Sequence, residues 1–183
     1  NALKSNNYLY KAIVTGITQV AHSSIFSDLN NFAQNSILSN KEEYFGFKEL
    51  EVKRLLEYSN FNGDFDEVKK WYGGYNFQNK EIYNPWSILN FISNAFTYKI
   101  YWSNTGSYSI LKETIKLLKE DVNNDLLLLA TGEKLDTKIS DTINYEYLTN
   151  PINVYSLLLF SGYLTYQDNN INTIYTLQIV NKE

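Results

Sequence analysis

The sequence predicts a mainly α protein with a minor β component: a short strand, a run of helices, then a helix closed by a β-hairpin. Three observations carry this expectation. Capping residues followed by helical spacing mark helix starts at Asp64, at Asn84-Pro85 and at Asn150-Pro151. The β-branched run Ala12-Ile13-Val14 ends at Thr15-Gly16, as a buried strand entering a turn does. Two apolar segments, 163–166 and Ile174–Ile179, flank the polar run Gln167-Asp168-Asn169-Asn170, which reads as a hairpin.

After the first strand the period changes. Ile25, Leu29, Phe32 and Ala33 fall on one helical face, and Leu55, Leu56 and Tyr58 mark a helix over 48–59. Asp64 stands three residues before Glu67, a capping-box spacing for a helix that carries Phe65, Val68, Trp71 and Tyr72. Gly73-Gly74 stops that helix and lets the next strand approach closely. Pro85 sits at a first helical position, where its missing N–H costs nothing, and Ile88, Leu89, Ile92 and Phe96 form the expected buried stripe. Leu111, Ile115, Leu118 and Val122 give another stripe, with Lys112, Glu113, Lys116 and Lys119 facing outward. The run 126–130 reads as one short buried segment. The last helix spans about 151–160 and ends at Gly162; helix plus hairpin is the local signature of a winged helix.

Composition narrows the function classes. The 183 residues are 44% hydrophobic and 20% charged, which suits a folded globular chain. There is no Cys and one His, His22, so disulfides, zinc, iron–sulfur, haem and Cys–His chemistry are all poorly provided for. No apolar run approaches the roughly 20 residues that span a bilayer, and the N-terminal residues lack a signal-peptide stretch, so a cytoplasmic location is expected. A net charge of -4 gives no electrostatic footprint for nucleic acid. From Pro151 onward Lys182 is the one cation, a poor endowment for a DNA-reading winged helix. Sixteen Tyr, ten Phe and abundant Asn suggest either a sticky aromatic surface or AT-rich codons, and the second reading suffices. The absence of Met points to a processed protein or a piece of a longer one.

No assembled active site emerges from residue chemistry. The eight Gly never take the spacing of a P-loop, a dinucleotide fingerprint or a nucleophile elbow. His22 beside a Ser pair lacks an orienting partner and reads as a loop or cap residue. Glu51-Val52-Lys53 and Glu67-Val68-Lys69 match the Glu-x-Lys of metal-dependent nucleases, but both lie in helical segments, where residues two apart diverge. The aromatic cluster 71–77 could stack on a sugar or base; a packed turn is the plainer reading.

The order of short motifs is more specific. Thr15-Gly16-Ile17 precedes Ser24-Ile25-Phe26-Ser27-Asp28-Leu29-Asn30-Asn31, then Phe45-Gly46-Phe47 and Trp71-Tyr72-Gly73-Gly74-Tyr75. Next come Ile82-Tyr83-Asn84-Pro85-Trp86-Ser87-Ile88-Leu89, Tyr101-Trp102-Ser103-Asn104-Thr105, Ser156-Leu157-Leu158-Leu159-Phe160-Ser161-Gly162-Tyr163-Leu164-Thr165 and Leu177-Gln178-Ile179-Val180-Asn181-Lys182-Glu183. From about Ile13 to the last residue this string resembles a predicted AAA-ATPase-like family of bacterial proteins, often fused to a C-terminal PD-(D/E)XK nuclease-like domain. Gly73 stands where that family has Asn, and Val180 where it has Pro.

The resemblance implies a partial domain. Residues 1–40 would end the ATPase-like core, 41–148 would be a helical lid, and 149–183 a winged-helix-like appendage. A P-loop core would precede this chain and a nuclease-like domain would follow it; both are the expected partners. ATP and Mg are implied for the complete protein, and no cofactor or metal for this chain alone. Thr15 would sense the nucleotide phosphate, with Asn30 and Asn31 as nearby candidates, or it would only hydrogen-bond its own turn. Trp71, Tyr72, Gly74, Tyr75, Asn84, Pro85, Trp86, Trp102, Thr105, Gly162 and Tyr163 would be family positions with a structural role. The expected function is to couple nucleotide state to a downstream domain without catalysis; the alternative is a non-enzymatic interaction module of ATPase ancestry. Carbohydrate binding through Tyr and Trp is a third option.

Overall fold

The computed structural model describes residues 6–13, 37–38, 45–77, 80–102, 118, 120–141, 143, 149–168 and 174–183. Among them are five helices and five strands, the strands in two small antiparallel sheets. The fold is therefore mixed, with helices predominating. Two separate hydrophobic cores organise it.

The first core is built by three short helices and a hairpin. Helix α1 (Glu49–Tyr58) begins where the Lys48 N–H donates to Glu51 Oε2 at 2.8 Å. Its buried residues, Val52 and Leu56, are four apart and share a face. Helix α2 (Phe65–Tyr72) is capped by Asp64, whose Oδ1 accepts the Asp66 N–H at 2.9 Å, and it buries Val68 and Tyr72 at the same spacing. Strands β1 (Tyr75–Phe77) and β2 (Lys80–Ile82) pair with Tyr75 opposite Ile82. Helix α3 (Pro85–Ser93) starts on Asn84, whose Oδ1 accepts the Trp86 N–H at 3.0 Å. Ser87, Ile88 and Phe91 are its buried residues.

Aromatic rings fill this core. Phe91 meets Tyr98 at 4.7 Å, Tyr72 at 5.4 Å and Phe61 at 5.5 Å between centroids. After α3, Ala95 and Phe96 both take positive φ, 52° and 57°, which swings the Phe96 ring onto Phe61 at 5.0 Å. Left-handed backbone at a bulky residue costs about 1–2 kcal/mol, and aromatic packing offsets it.

The second core is mostly aliphatic. It gathers α4 (Glu120–Ala130), β3 (Leu135–Lys138), α5 (Pro151–Phe160), β4 (Leu164–Asp168) and β5 (Ile174–Ile179). The strand order is β3-β5-β4, with Leu177 of β5 opposite both Leu135 and Tyr166. Asn150 caps α5 by accepting the Ile152 N–H at 3.0 Å. Val154 through Leu159 are consecutively buried, so α5 is enclosed on nearly every side. Full burial of one such side chain, Leu157 for example, stabilises by about 1.5–3 kcal/mol. Gly162 at φ +81° reverses the chain, and the Tyr163 N–H returns to the Leu158 carbonyl at 2.9 Å. The Tyr155 hydroxyl donates to the Asp125 carboxylate and ties α5 to α4.

Several sequence expectations need correction. Ala12 and Ile13 are irregular and exposed, not a buried strand, because no described strand pairs with them. Tyr58 points to solvent, and Val52 supplies the α1 core contact in its place. Leu89 is about half exposed, while Phe91, three residues from Ile88, completes the α3 stripe. Within 126–130 only Leu129 is buried, since four successive Leu point all round a helix. The hairpin turn also moves: Gln167 and Asp168 belong to β4. Strand β3 and helix α4 pack with the C-terminal elements. The expected helices around Ile25–Ala33 and Leu111–Ile115 fall outside the described residues. Among the described residues, no helix is long and apolar enough to cross a membrane.

Candidate functional site

Several of the family-motif positions meet at the seam between the two cores. Segment 180–183, which leaves β5, runs back over the α2–β1 junction. Gly74 permits this approach: its φ is +88°, and a Cβ there would stand 2.3 Å from the Val180 carbonyl oxygen. The Gly74 N–H donates to Glu81 Oε1 at 3.0 Å, and Glu81 Oε2 pairs with Lys69 at 2.5 Å, so α2, β2 and the turn are fixed together. The Val180 N–H reaches the Tyr163 carbonyl at 3.4 Å, a contact that Pro at this position would forfeit.

Each residue of the tail then engages the first core. Asn181 Nδ2 donates to the Gly73 carbonyl at 2.8 Å, and its Oδ1 accepts the Glu183 N–H at 3.0 Å. The Lys182 N–H donates to the Lys70 carbonyl at 3.0 Å, while its ammonium pairs with Glu67 at 2.6 Å. The Lys182 hydrogen bond, then its charge, hold the Glu67 carboxyl below the usual range. Glu183 Oε1 accepts two backbone N–H groups, from Tyr101 at 2.7 Å and Trp102 at 3.2 Å. Burial pushes the Glu183 carboxyl up, against the ionised form; Ser87 and those two N–H groups pull the other way. The fully buried Ser87 hydroxyl acts here by proximity, outside hydrogen-bond geometry.

Tyr75 closes the cluster. Its phenol is pushed up to about 12, by burial first and by the Glu183 charge second, with the nearby polar groups of Asn181, Asn84 and Trp102 pulling the other way. The Trp102 ring packs on Tyr163 at 5.0 Å, and Trp86 Nε1 donates to the Tyr101 carbonyl at 3.2 Å. A second bridge lies nearby: the Asn76 N–H donates to Thr165 Oγ1 at 3.0 Å and Asn76 Nδ2 to the Tyr166 carbonyl at 2.6 Å.

The structure thus gathers Gly74, Tyr75, Asn84, Trp86, Trp102, Gly162 and Tyr163 around one seam. Trp71 and Tyr72 belong instead to the aromatic core beside it, and Pro85 only starts α3. Thr15, Asn30, Asn31 and Thr105 lie outside the described residues. Asn76, Ser87, Tyr101, Thr165, Asn181 and Glu183 lie in or beside the quoted motifs, but the sequence assigned none of them a role. Glu183 Oε1 is held by backbone donors, an arrangement that fixes positions. The two Glu-x-Lys tripeptides lie on α1 and α2, where Glu51 caps and Glu67 pairs with lysines. Among the described residues, no three His, Cys, Asp or Glu side chains gather as a metal site.

No family model matches the chain, and no solved structure matches it. One relative is an uncharacterised protein in the vnfD 5' region of Azotobacter chroococcum mcd 1, 26% identical over 161 residues. That alignment covers 88% of this chain and 29% of the relative, so this chain spans under a third of the relative's length.

Proposed function

We propose that this chain is the lid and winged-helix-like part of an AAA-ATPase-like protein, which relays nucleotide state to a following domain and performs no catalytic step itself. The observation that carries the reading is the seam. Tail 180–183 is bonded to α2 and to the backbone after α3, so a shift of the first core must pull directly on β5. The order α4, β3, α5, β4, β5, with β3 beside β5, supports the winged-helix description of the C-terminal unit. Enclosure of α5 leaves no basic face for phosphates, so protein contacts rather than nucleic acid are its partners. The P-loop core that precedes it and the nuclease-like domain that follows are the partners in this reading. ATP and Mg belong to the complete protein, and the location is cytoplasmic.

The 183-residue chain alone is expected to show no micromolar Mg-ATP binding in calorimetry; such binding contradicts the proposal. In a longer protein carrying the preceding core, Thr15→Val is expected to slow ATP hydrolysis at an unchanged melting temperature. An unchanged rate leaves Thr15 with a turn-stabilising role only.

A further inference from the structure

The geometry points to segment 180–183 as a reversible latch: docked on Gly73-Gly74 and the Tyr101–Trp102 backbone it tightens the join between the two cores, and when it lifts the Asn76 bridge to β4 and the Trp102–Tyr163 ring contact are left to hold them. The latch rests on the relay reading and gives it a moving part. Its test uses no nucleotide, so either idea can fail without the other.

Four features set this segment apart from ordinary core packing. Its contacts are polar and directional: Asn181 to the Gly73 carbonyl, Lys182 N–H to the Lys70 carbonyl, and Glu183 to two N–H groups 81 and 82 residues away in sequence. Val180 through Glu183 contribute no fully buried apolar side chain, so undocking exposes little hydrophobic area and melts neither core. The receiving surface is shaped for a backbone, since a side chain at Gly74 would occupy the place of the Val180 carbonyl. Finally, the groups freed by release are ones that water can satisfy: the Tyr101, Trp102 and Lys182 N–H groups, the Gly73 and Lys70 carbonyls, the Asn181 carboxamide, the Glu183 carboxylate and the Lys182–Glu67 pair.

The carboxylate acts through the backbone it holds. Facing Glu183 are Ser87 and the Tyr101 and Trp102 N–H groups from α3 and its following segment, and the Tyr75 phenol from β1. Glu183 is a positioning residue, and a glutamine can keep its Oε1 contacts.

Native-state amide exchange on the 183-residue chain tests the latch. In the wild type, the Tyr101 and Trp102 amides are expected to open together, at lower denaturant than Leu56 in α1 and Leu177 in β5. Glu183→Ala is expected to speed exchange at Tyr101 and Trp102 by about tenfold, with Leu56 and Leu177 little changed. Glu183→Gln should restore most of the protection. Gly74→Ala, which displaces the same segment from its other side, should reproduce the Glu183→Ala pattern. The latch is overturned if the wild-type Tyr101 and Trp102 amides open only with Leu56, in global unfolding. It is equally overturned if Glu183→Ala leaves them unchanged, or speeds all amides alike.

Discussion

The two cores solve the same packing problem with different chemistry. The first, around Phe91, uses rings on three short helices of eight to ten residues. The second wraps a sheet and α4 around one enclosed helix with Leu and Val. Short helices present few side chains each, so each must be large; aromatic rings supply that area. A helix enclosed on all sides needs slim neighbours instead. The join between them is mostly polar. Hydrogen bonds from Asn76, Asn181 and Glu183, with the Trp102–Tyr163 ring contact, make the connection.

Substitutions can break this comparison on either side. The largest effect is expected for Phe91→Ala, which removes four ring contacts and should cost about 3–5 kcal/mol. Leu177→Ala in the other core should cost about 2–5 kcal/mol, and urea unfolding measures both. If the cores are separate, Phe91→Ala should perturb Trp fluorescence of the native state more than Leu177→Ala does, because Trp71 packs against the first core while Trp102 lies at the seam on Tyr163.

The seam comes next. Glu183→Ala leaves two part-buried N–H groups without their acceptor and should cost about 1–3 kcal/mol, with Glu183→Gln losing clearly less. The pH dependence sharpens this. The Glu183 carboxyl is raised on folding, so the folded state binds its proton more tightly than the unfolded state does. Its contribution is complete below the unfolded value of 4.5 and is lost as pH rises through the folded value. Glu67 has the opposite sign: its contribution is present above 4.5 and is lost as pH falls through its lowered value. Acid titration of Glu183→Gln should therefore lack the loss of stability above 4.5 and keep the loss below it. The smallest effects are at the caps, where Asn84→Ala and Asn150→Ala should each cost about 1 kcal/mol in thermal melts.

What could be read from the sequence follows from how local each cause is. Asp64, Asn84-Pro85 and Asn150-Pro151 were legible because a cap acts within three residues. The hairpin β1–β2 was not, since three-residue strands are too short to show a period of two. Strand β3, Leu-Asp-Thr-Lys, contributes one partly buried Leu and depends on β5 for its identity. The motif string located most of the seam, yet said nothing of Glu183's role. Its burial arises only when the tail meets a backbone more than 80 residues earlier.

The central claim is that segment 180–183, added to the Asn76 bridge, makes two cores behave as one. Urea unfolding followed by Trp fluorescence and by far-UV circular dichroism tests it most directly. The account predicts coincident transitions for the wild type and separated transitions for Glu183→Ala. Separated transitions in the wild type, or coincident and unmoved ones in the variant, would contradict it.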